Sequence, residues 1–179
     1  FLSITAHSEE QSFEYFSKKL LEKEVCPNLM PQVGPTGGGD GKTDSETYPV
    51  AEKIAIRWYQ GDASASEKWA VAISAQKTWK AKVQKDVKSI MDTKRNYSKI
   101  FFVSNQQISS KEKADMQDKL RIKYDDKVEI IILGLGWIVD KIITGDLYEM
   151  VTNHFLSVQG LEFKPSKKKG PNDAKREVE

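Results

Sequence analysis

Cysteine is scarce in this chain, since Cys26 is the only one among 179 residues. A single cysteine excludes an internal disulfide and cannot by itself build a structural zinc site. Long apolar runs are missing too, because none approaches the roughly 20 residues that a membrane-spanning helix needs. We therefore expect a protein of the reducing cytoplasm with no membrane partner.

An excess of either charge is also lacking. The 28 Lys and Arg residues nearly balance 26 Asp and Glu residues, which leaves a net charge of +2. That value is too small to indicate a nucleic-acid partner by itself, but the lysines cluster in "KTWKAKVQKDVK" and "KPSKKKG". A charge run is usually a solvated face. The alternative is that Lys80, Lys82 and Lys85 follow the phosphates of a nucleic-acid backbone.

Hydrophobic residues make up 39% of the chain, which is enough for one globular domain with its own core. The chain begins at Phe1 rather than Met, so we expect it to be one domain of a longer protein. We place that domain at residues 1–163. The charged tail 164–179 contains Pro and Gly, and it is predicted to be a disordered linker to further domains.

The periodicity of apolar residues predicts alternating helices and strands. Ser8 and Gln11 have the spacing of a capping box, which starts the first helix. The predicted helices cover 8–25, a segment from 78, 109–124 and 145–156, and the predicted strands cover 43–48, 53–61, 69–77, 99–105 and 127–135. This order, α-β-β-β-α-β-α-β-α, indicates an α/β fold with a mixed central sheet flanked by helices.

Further expectations concern single elements. The nearly continuous apolar run of the strand 69–77 favours a central position in the sheet, and 61–68 is predicted to be a hairpin loop. Ser109 or Ser110 is the predicted cap of the helix 109–124. The helix from 78 has one apolar stripe, formed by Trp79, Val83, Val87 and Ile90.

The stretch "GPTGGGDGKTDSE" ends in the Gly-Lys-Thr of a phosphate-binding P-loop. A P-loop needs a glycine five residues before Gly41, between a strand and a helix, and that position holds Thr36. The flanking residues predict neither element. We therefore expect no nucleotide to bind here.

The acids of the same stretch suggest a different chemistry. Asp44 and Glu46 lie two residues apart at a predicted strand start, so both carboxylates point to one face. Carboxylates beside a glycine loop provide the oxygen ligands of Mg²⁺. The alternative is that these acids belong to an acidic hairpin in solvent and bind nothing. Asp40 is expected to shape the loop rather than bind metal.

Strand alternation in "AISAQKTW" places Ile73, Ala75 and Lys77 on one face of the neighbouring strand. A lysine at the end of a buried strand is unfavourable unless it is paired or functional. A metal held by carboxylates next to such a lysine is an arrangement that can cleave phosphodiesters.

These stretches resemble the PD-(D/E)xK nuclease superfamily, and within it the Mrr-like restriction endonucleases. "SFEYFSKKLLEKEV" is similar to the family's first helix, "GGGDGKTDSE" to its glycine-rich loop, and "AVAISAQKTW" to its lysine strand. "KIFFVSNQQISSKEKADMQDKL" and "VEIIILGLGWIVDKII" are similar to its closing strand–helix–strand. The resemblance implies a restriction-endonuclease-like fold over most of the chain. It also implies Asp44 as metal ligand, Lys77 as catalytic lysine and Glu14 as accessory carboxylate. Glu46 is expected as a second ligand because it shares the predicted strand face of Asp44.

The resemblance further implies a Mg²⁺-dependent endodeoxyribonuclease, with Mn²⁺ as a substitute metal and double-stranded DNA as substrate. Related domains are effectors of bacterial anti-phage defence proteins, which implies homo-oligomers formed through a parent protein. One position departs from the motif, because Ala75 stands where an acid or Gln is expected. Either a bulge brings Gln76 into the site, or Glu14 or Glu46 supplies the oxygen, or the domain binds DNA without cutting it. The sequence does not distinguish a DNA substrate from an RNA substrate.

Overall fold

The computed structural model describes residues 1–31, 45–47 and 67–158 of the chain. Four sequence predictions lie outside these residues: the glycine-rich loop at 34–41, the strand at 53–61, most of the hairpin loop at 61–68 and the linker at 164–179. Asp40 and Asp44 lie outside them as well.

The described residues contain five α-helices, five strands and two 3₁₀ turns. The helices are α1 (Glu10–Glu24), α2 (Trp79–Asp92), α3 (Ser110–Lys123), α4 (Leu135–Thr144) and α5 (Tyr148–His154). The strands are β1 (Leu29–Pro31), β2 (Ser45–Thr47), β3 (Trp69–Ser74), β4 (Lys99–Ser104) and β5 (Glu129–Leu133). The 3₁₀ turns are Ile4–His7 and Leu156–Val158.

One sheet contains all five strands in the order β1-β2-β3-β4-β5. The pairs β3–β4 and β4–β5 are parallel, and α2 and α3 provide the crossovers between them. The short strands β1 and β2 add to this parallel sheet in antiparallel orientation. The α/β class predicted from the sequence is confirmed, and β3 takes the central position expected from its apolar run.

Helices cover both faces of the sheet, as predicted. One core packs α1, α4 and α5 against residues such as Val71 and Phe101. The other packs α2 and α3 against the alternate residues, among them Ala72 and Phe102. The predicted stripe of α2 is confirmed, since its members are all buried: Trp79, Val83, Val87 and Ile90. Full burial of a Val or Ile side chain such as those of Val83, Val87 and Ile90 contributes about 1.5–3 kcal/mol.

The first helix starts differently from the prediction. The predicted capping box at Ser8 is wrong, because Glu9 is the N-cap residue of α1 and makes no side-chain cap. Ser8 instead closes the preceding 3₁₀ turn in a left-handed conformation, with φ 54°. The Glu9 carboxylate accepts hydrogen bonds from the backbone N–H and hydroxyl of Ser157, at 3.0 and 2.6 Å. Those bonds hold the pKa of Glu9 below its usual value.

The cap predicted for the third helix is confirmed. Ser109 is the N-cap of α3, and its hydroxyl accepts the N–H of Glu112 at 3.3 Å. The Glu112 carboxylate in turn accepts the N–H of Ser109, which completes a capping box.

The end of the domain contains two helices where the sequence predicted one. The predicted helix 145–156 corresponds to α5, which spans Tyr148–His154, while α4 ends at Thr144 and was not predicted. The sequence prediction assigns residues 136–144, which form most of α4, to neither a helix nor a strand. Gly134 separates the two elements, and a Cβ at this position would lie 3.1 Å from the carbonyl oxygen of Gln106. Among the described helices, none has the length and apolar character needed to cross a membrane.

Candidate functional site

A cleft of about 600 Å³ opens between the start of α1 and the carboxyl end of β3. Three of the predicted site residues line it together: Glu14 from α1, and Gln76 and Lys77 from the segment after β3. Lys82 of α2 also reaches the cleft. Parallel strands commonly present their ligand sites at the carboxyl ends, so the position itself is typical of a functional cleft.

Lys77 lies in this cleft for a reason that the sequence did not indicate. The predicted strand to Lys77 is wrong, because β3 ends at Ser74 and Lys77 is exposed in the following bend. The Ser74 hydroxyl accepts the N–H of Gln76 at 3.2 Å, which turns the chain away from the sheet. The unfavourable burial that first drew attention to Lys77 therefore does not occur.

Glu14 faces both the cleft and a nearly buried lysine. Its Oε1 lies 2.6 Å from Nζ of Lys18, whose side chain is only 11% exposed. Removal of one member of such a pair leaves the other charge without compensation in a poorly solvated position. Glu10, one helical turn before Glu14, lines the same cleft. Sequence reasoning missed both Glu10 and Lys18, although their i, i+4 spacing from Glu14 places all three on one side of α1.

The position of Ala75 is fixed by its backbone. Ala75 is 9% exposed, and it belongs to the core on the α1 side of the sheet. Its carbonyl oxygen accepts hydrogen bonds from Thr5 Oγ1 at 3.5 Å and from Gln106 Nε2 at 3.4 Å. The motif position therefore presents a methyl group and no side-chain oxygen.

Two neighbouring strands, β3 and β4, are each followed by a short turn of the same kind. Ser74 and Ser104 are register partners on β3 and β4, and each hydroxyl accepts the N–H of the Gln two residues later. Sequence reasoning missed Ser74 and Gln106, but the repeated patterns "SAQ" and "SNQ" after two apolar strands were a signal for them.

The three lysines predicted to contact DNA differ in their surroundings. Lys80 pairs with Glu112 at 2.6 Å, and Lys82 pairs with Asp86 at 2.7 Å. Lys85 is exposed on the same helix. The cleft includes Lys82 but does not bring Lys80 or Lys85 into its lining.

Two carboxylates beside these lysines have shifted pKa values. The pKa of Glu112 falls from 4.5 to about 2, chiefly because it accepts a hydrogen bond from Lys80 and also because it accepts hydrogen bonds from Ser109. Burial raises the pKa of Asp86, and the hydrogen bond from Lys82 opposes that effect.

The amino end of α2 borders the cleft through Thr78, its N-cap residue. The Thr78 side chain accepts no capping hydrogen bond within the described part of the chain. A helix N-terminus carries partial positive charge on its unpaired N–H groups. Together with Lys77 and Lys82, it makes this side of the cleft suited to an anion.

The carboxylates on the opposite side are the hard oxygen donors that Mg²⁺ prefers. Glu10 and Glu14 supply them from α1. Within residues 1–31, 45–47 and 67–158, no group of three or more His, Cys, Asp or Glu side chains could hold a metal ion. The predicted ligand Asp44 and the side chain of Glu46 lie outside the described residues, so both assignments stay predictions. The backbone of Glu46 pairs with Ala70 of β3.

Comparison of the chain with models of protein families finds no match, and comparison with curated proteins finds none either. The likeness to the nuclease superfamily therefore rests on the sequence stretches quoted above.

Proposed function

We propose that this chain is a metal-dependent DNA endonuclease with a restriction-endonuclease-like fold, acting in the bacterial cytoplasm as the effector domain of a larger anti-phage defence protein. One observation carries the proposal: Glu14, Gln76 and Lys77, chosen from the sequence, line a single cleft at the end of the central strand β3. The residues come from two segments about 60 positions apart, so their meeting does not follow from local sequence alone.

The cleft has opposite charges on its two sides, which suits phosphodiester hydrolysis. Lys77 would stabilise the negative charge that develops on the attacked phosphate, and the amino end of α2 would contribute to the same stabilisation. Glu14 and Gln76 would orient the attacking water through hydrogen bonds.

Asp44 and Glu46 would hold Mg²⁺, with Glu14 as an accessory carboxylate. When bound, the metal supplies a more acidic water and neutralises phosphate charge. Within the described residues, β2 runs antiparallel to β3, with Ser45 opposite Val71 and Glu46 opposite Ala70. The assignment of Asp44 is supported by the resemblance of "GGGDGKTDSE" to the family's glycine-rich loop.

The decisive test is cleavage of supercoiled plasmid with Mg²⁺ or Mn²⁺, beside an EDTA control and the variants Asp44→Ala and Lys77→Ala. Lys94→Ala is a matched control, because Lys94 is an exposed lysine just after the other end of α2. Circular dichroism first establishes that each variant is folded. We expect Asp44→Ala, Lys77→Ala and EDTA to abolish cleavage, while Lys94→Ala cleaves as the parent does. Cleavage that persists in both site variants would contradict the proposal.

A second candidate function is a DNA-binding or assembly module of the same fold that does not cleave. The observation that favours it is Ala75, whose buried methyl group occupies the motif position. This candidate predicts duplex binding in EDTA that Lys77→Ala weakens, and no cleavage with either metal even when the domain is artificially dimerised.

A further inference from the structure

The peptide between Ala75 and Gln76 is held at both of its polar atoms. Its N–H donates to Ser74 Oγ at 3.2 Å. Its carbonyl oxygen accepts from Gln106 Nε2 at 3.4 Å and from Thr5 Oγ1 at 3.5 Å. The bonds to the carbonyl are long, so each is individually weak. Together they define the plane of the peptide from which Gln76 and then Lys77 project into the cleft.

Gln106 is itself held firmly by groups outside the cleft. Its Nε2 donates to Asn105 Oδ1 at 2.7 Å, and its carbonyl oxygen accepts the N–H of Leu135 at 3.0 Å. Asn105 is fully buried, and its Nδ2 donates to the carbonyl oxygen of Phe1 at 2.9 Å. The Gln106 amide is therefore positioned in advance, at the point where the loops after β3, β4 and β5 meet.

We infer that Gln106 is a positioning residue for the cleft, which acts by fixing the Ala75–Gln76 peptide and thereby the direction of Gln76 and Lys77. The inference rests on the proposed function, since only a reaction in the cleft gives that direction a purpose. Gln106 touches the backbone that carries the site residues, and it acts through them.

The structural part of the inference is tested by amide hydrogen exchange and ¹⁵N relaxation of Gln76 and Lys77. Gln106→Leu removes the donor, and Gln106→Glu removes it while it keeps a polar side chain. Gln107→Leu is the matched control, because Gln107 is the adjacent glutamine and is exposed. We expect exchange of the Gln76 amide to accelerate about two- to five-fold in both Gln106 variants, which corresponds to the loss of one weak hydrogen bond, and to stay unchanged in the control. Unchanged exchange in a folded Gln106 variant would overturn the inference.

The functional part is tested by plasmid cleavage at saturating Mg²⁺. Since Gln106 orients Lys77 and does not bind the substrate, we expect kcat to fall about ten-fold in both Gln106 variants while KM changes less than about two-fold. Faster exchange with an unchanged kcat would overturn the positioning role. The exchange experiment does not depend on activity. If the parent domain cuts no DNA, the nuclease proposal is refuted, and the exchange experiment still tests the contact between Gln106 and the Ala75–Gln76 peptide.

Discussion

Lys80 and Glu112 join the first turns of two helices, with Nζ and Oε1 separated by 2.6 Å. The same carboxylate caps α3 through Ser109. The ammonium group of Lys80 also lies over the Trp79 ring, 5.6 Å from its centroid. A lysine that sequence reasoning assigned to DNA thus has an intramolecular role, which affects how much it can contribute to binding.

DNA affinity is expected to depend more on Lys85 than on Lys80. Lys85→Ala should reduce the slope of log K against log salt by about 0.9, the value for one lost phosphate contact. Lys80→Ala should reduce it less, because Lys80 must leave Glu112 before it can contact a phosphate. Fluorescence anisotropy with a duplex in EDTA measures both slopes. Equal losses, or a larger loss for Lys80→Ala, would contradict the expectation.

The Lys80–Glu112 pair should make stability depend on pH in a defined window. The pKa of Glu112 is about 2 in the folded protein, below its usual value of 4.5. The stabilisation is therefore fully present above about pH 4.5 and is lost as the pH falls toward 2. Thermal unfolding should show Glu112→Gln less stable than the parent at pH 7, with the difference closing over that window.

Asp115→Asn is the matched control for the pH series, because Asp115 is an exposed acid on the same helix. This variant measures how much of any change comes from removing one surface charge of α3. A difference for Glu112→Gln that stays constant down to pH 2 would show that the charge of Glu112 does not contribute.

The aromatic cluster beneath α1 should account for a large share of stability. Phe16 is fully buried, and its ring lies 5.4 Å from the ring centroids of both Phe1 and Phe155. Phe16→Ala should lower the free energy of unfolding by about 3–5 kcal/mol. The adjacent Tyr15 is 65% exposed, so Tyr15→Ala should change it by less than about 0.5 kcal/mol. Urea denaturation measures both, and similar losses would refute this packing.

A carboxylate at the motif position should increase cleavage. Ala75→Glu places an acid two residues before Lys77, at a position that lines the cleft. If the missing oxygen limits catalysis, the Mg²⁺-dependent rate should rise about ten-fold or more, as expected when a charged group contributes at least 1.4 kcal/mol in the transition state. Ala81→Glu, on an exposed position of α2, controls for added charge. A folded Ala75→Glu variant with an unchanged rate would mean that position 75 is not limiting.

Local features of the fold were predictable from the sequence. The apolar stripe of α2 and the cap at Ser109 depend on residues within a few positions of each other, and both are confirmed. The crossovers between β3, β4 and β5 followed from the alternation of strands and helices. The prediction at Ser8 was wrong because a 3₁₀ turn ends at this residue. Ser8 adopts a left-handed backbone conformation there, whereas an N-cap residue usually adopts an extended one.

The candidate site was predictable only in part, because its geometry depends on contacts between distant residues. The sequence selected Glu14, Gln76 and Lys77, and the cleft contains all three. The bond from Gln106 to Ala75 spans 31 positions, and no local pattern specifies it. The exposure of Lys77 was missed because β3 ends at Ser74, before the predicted end of the strand, where the Ser74 hydroxyl accepts the N–H of Gln76.

Substitution of Gly134 is expected to disturb the cleft, although Gly134 does not line it. Any amino acid can adopt its φ of −96°, so glycine is required here because a side chain would be too close to its neighbours. A methyl group there would meet the Gln106 carbonyl oxygen and the Ile108 side chain at 3.1 Å, and the loop after β4 would have to move by a few tenths of an ångström. In a deep mutational scan, position 134 should behave like a site residue, with activity falling before expression does.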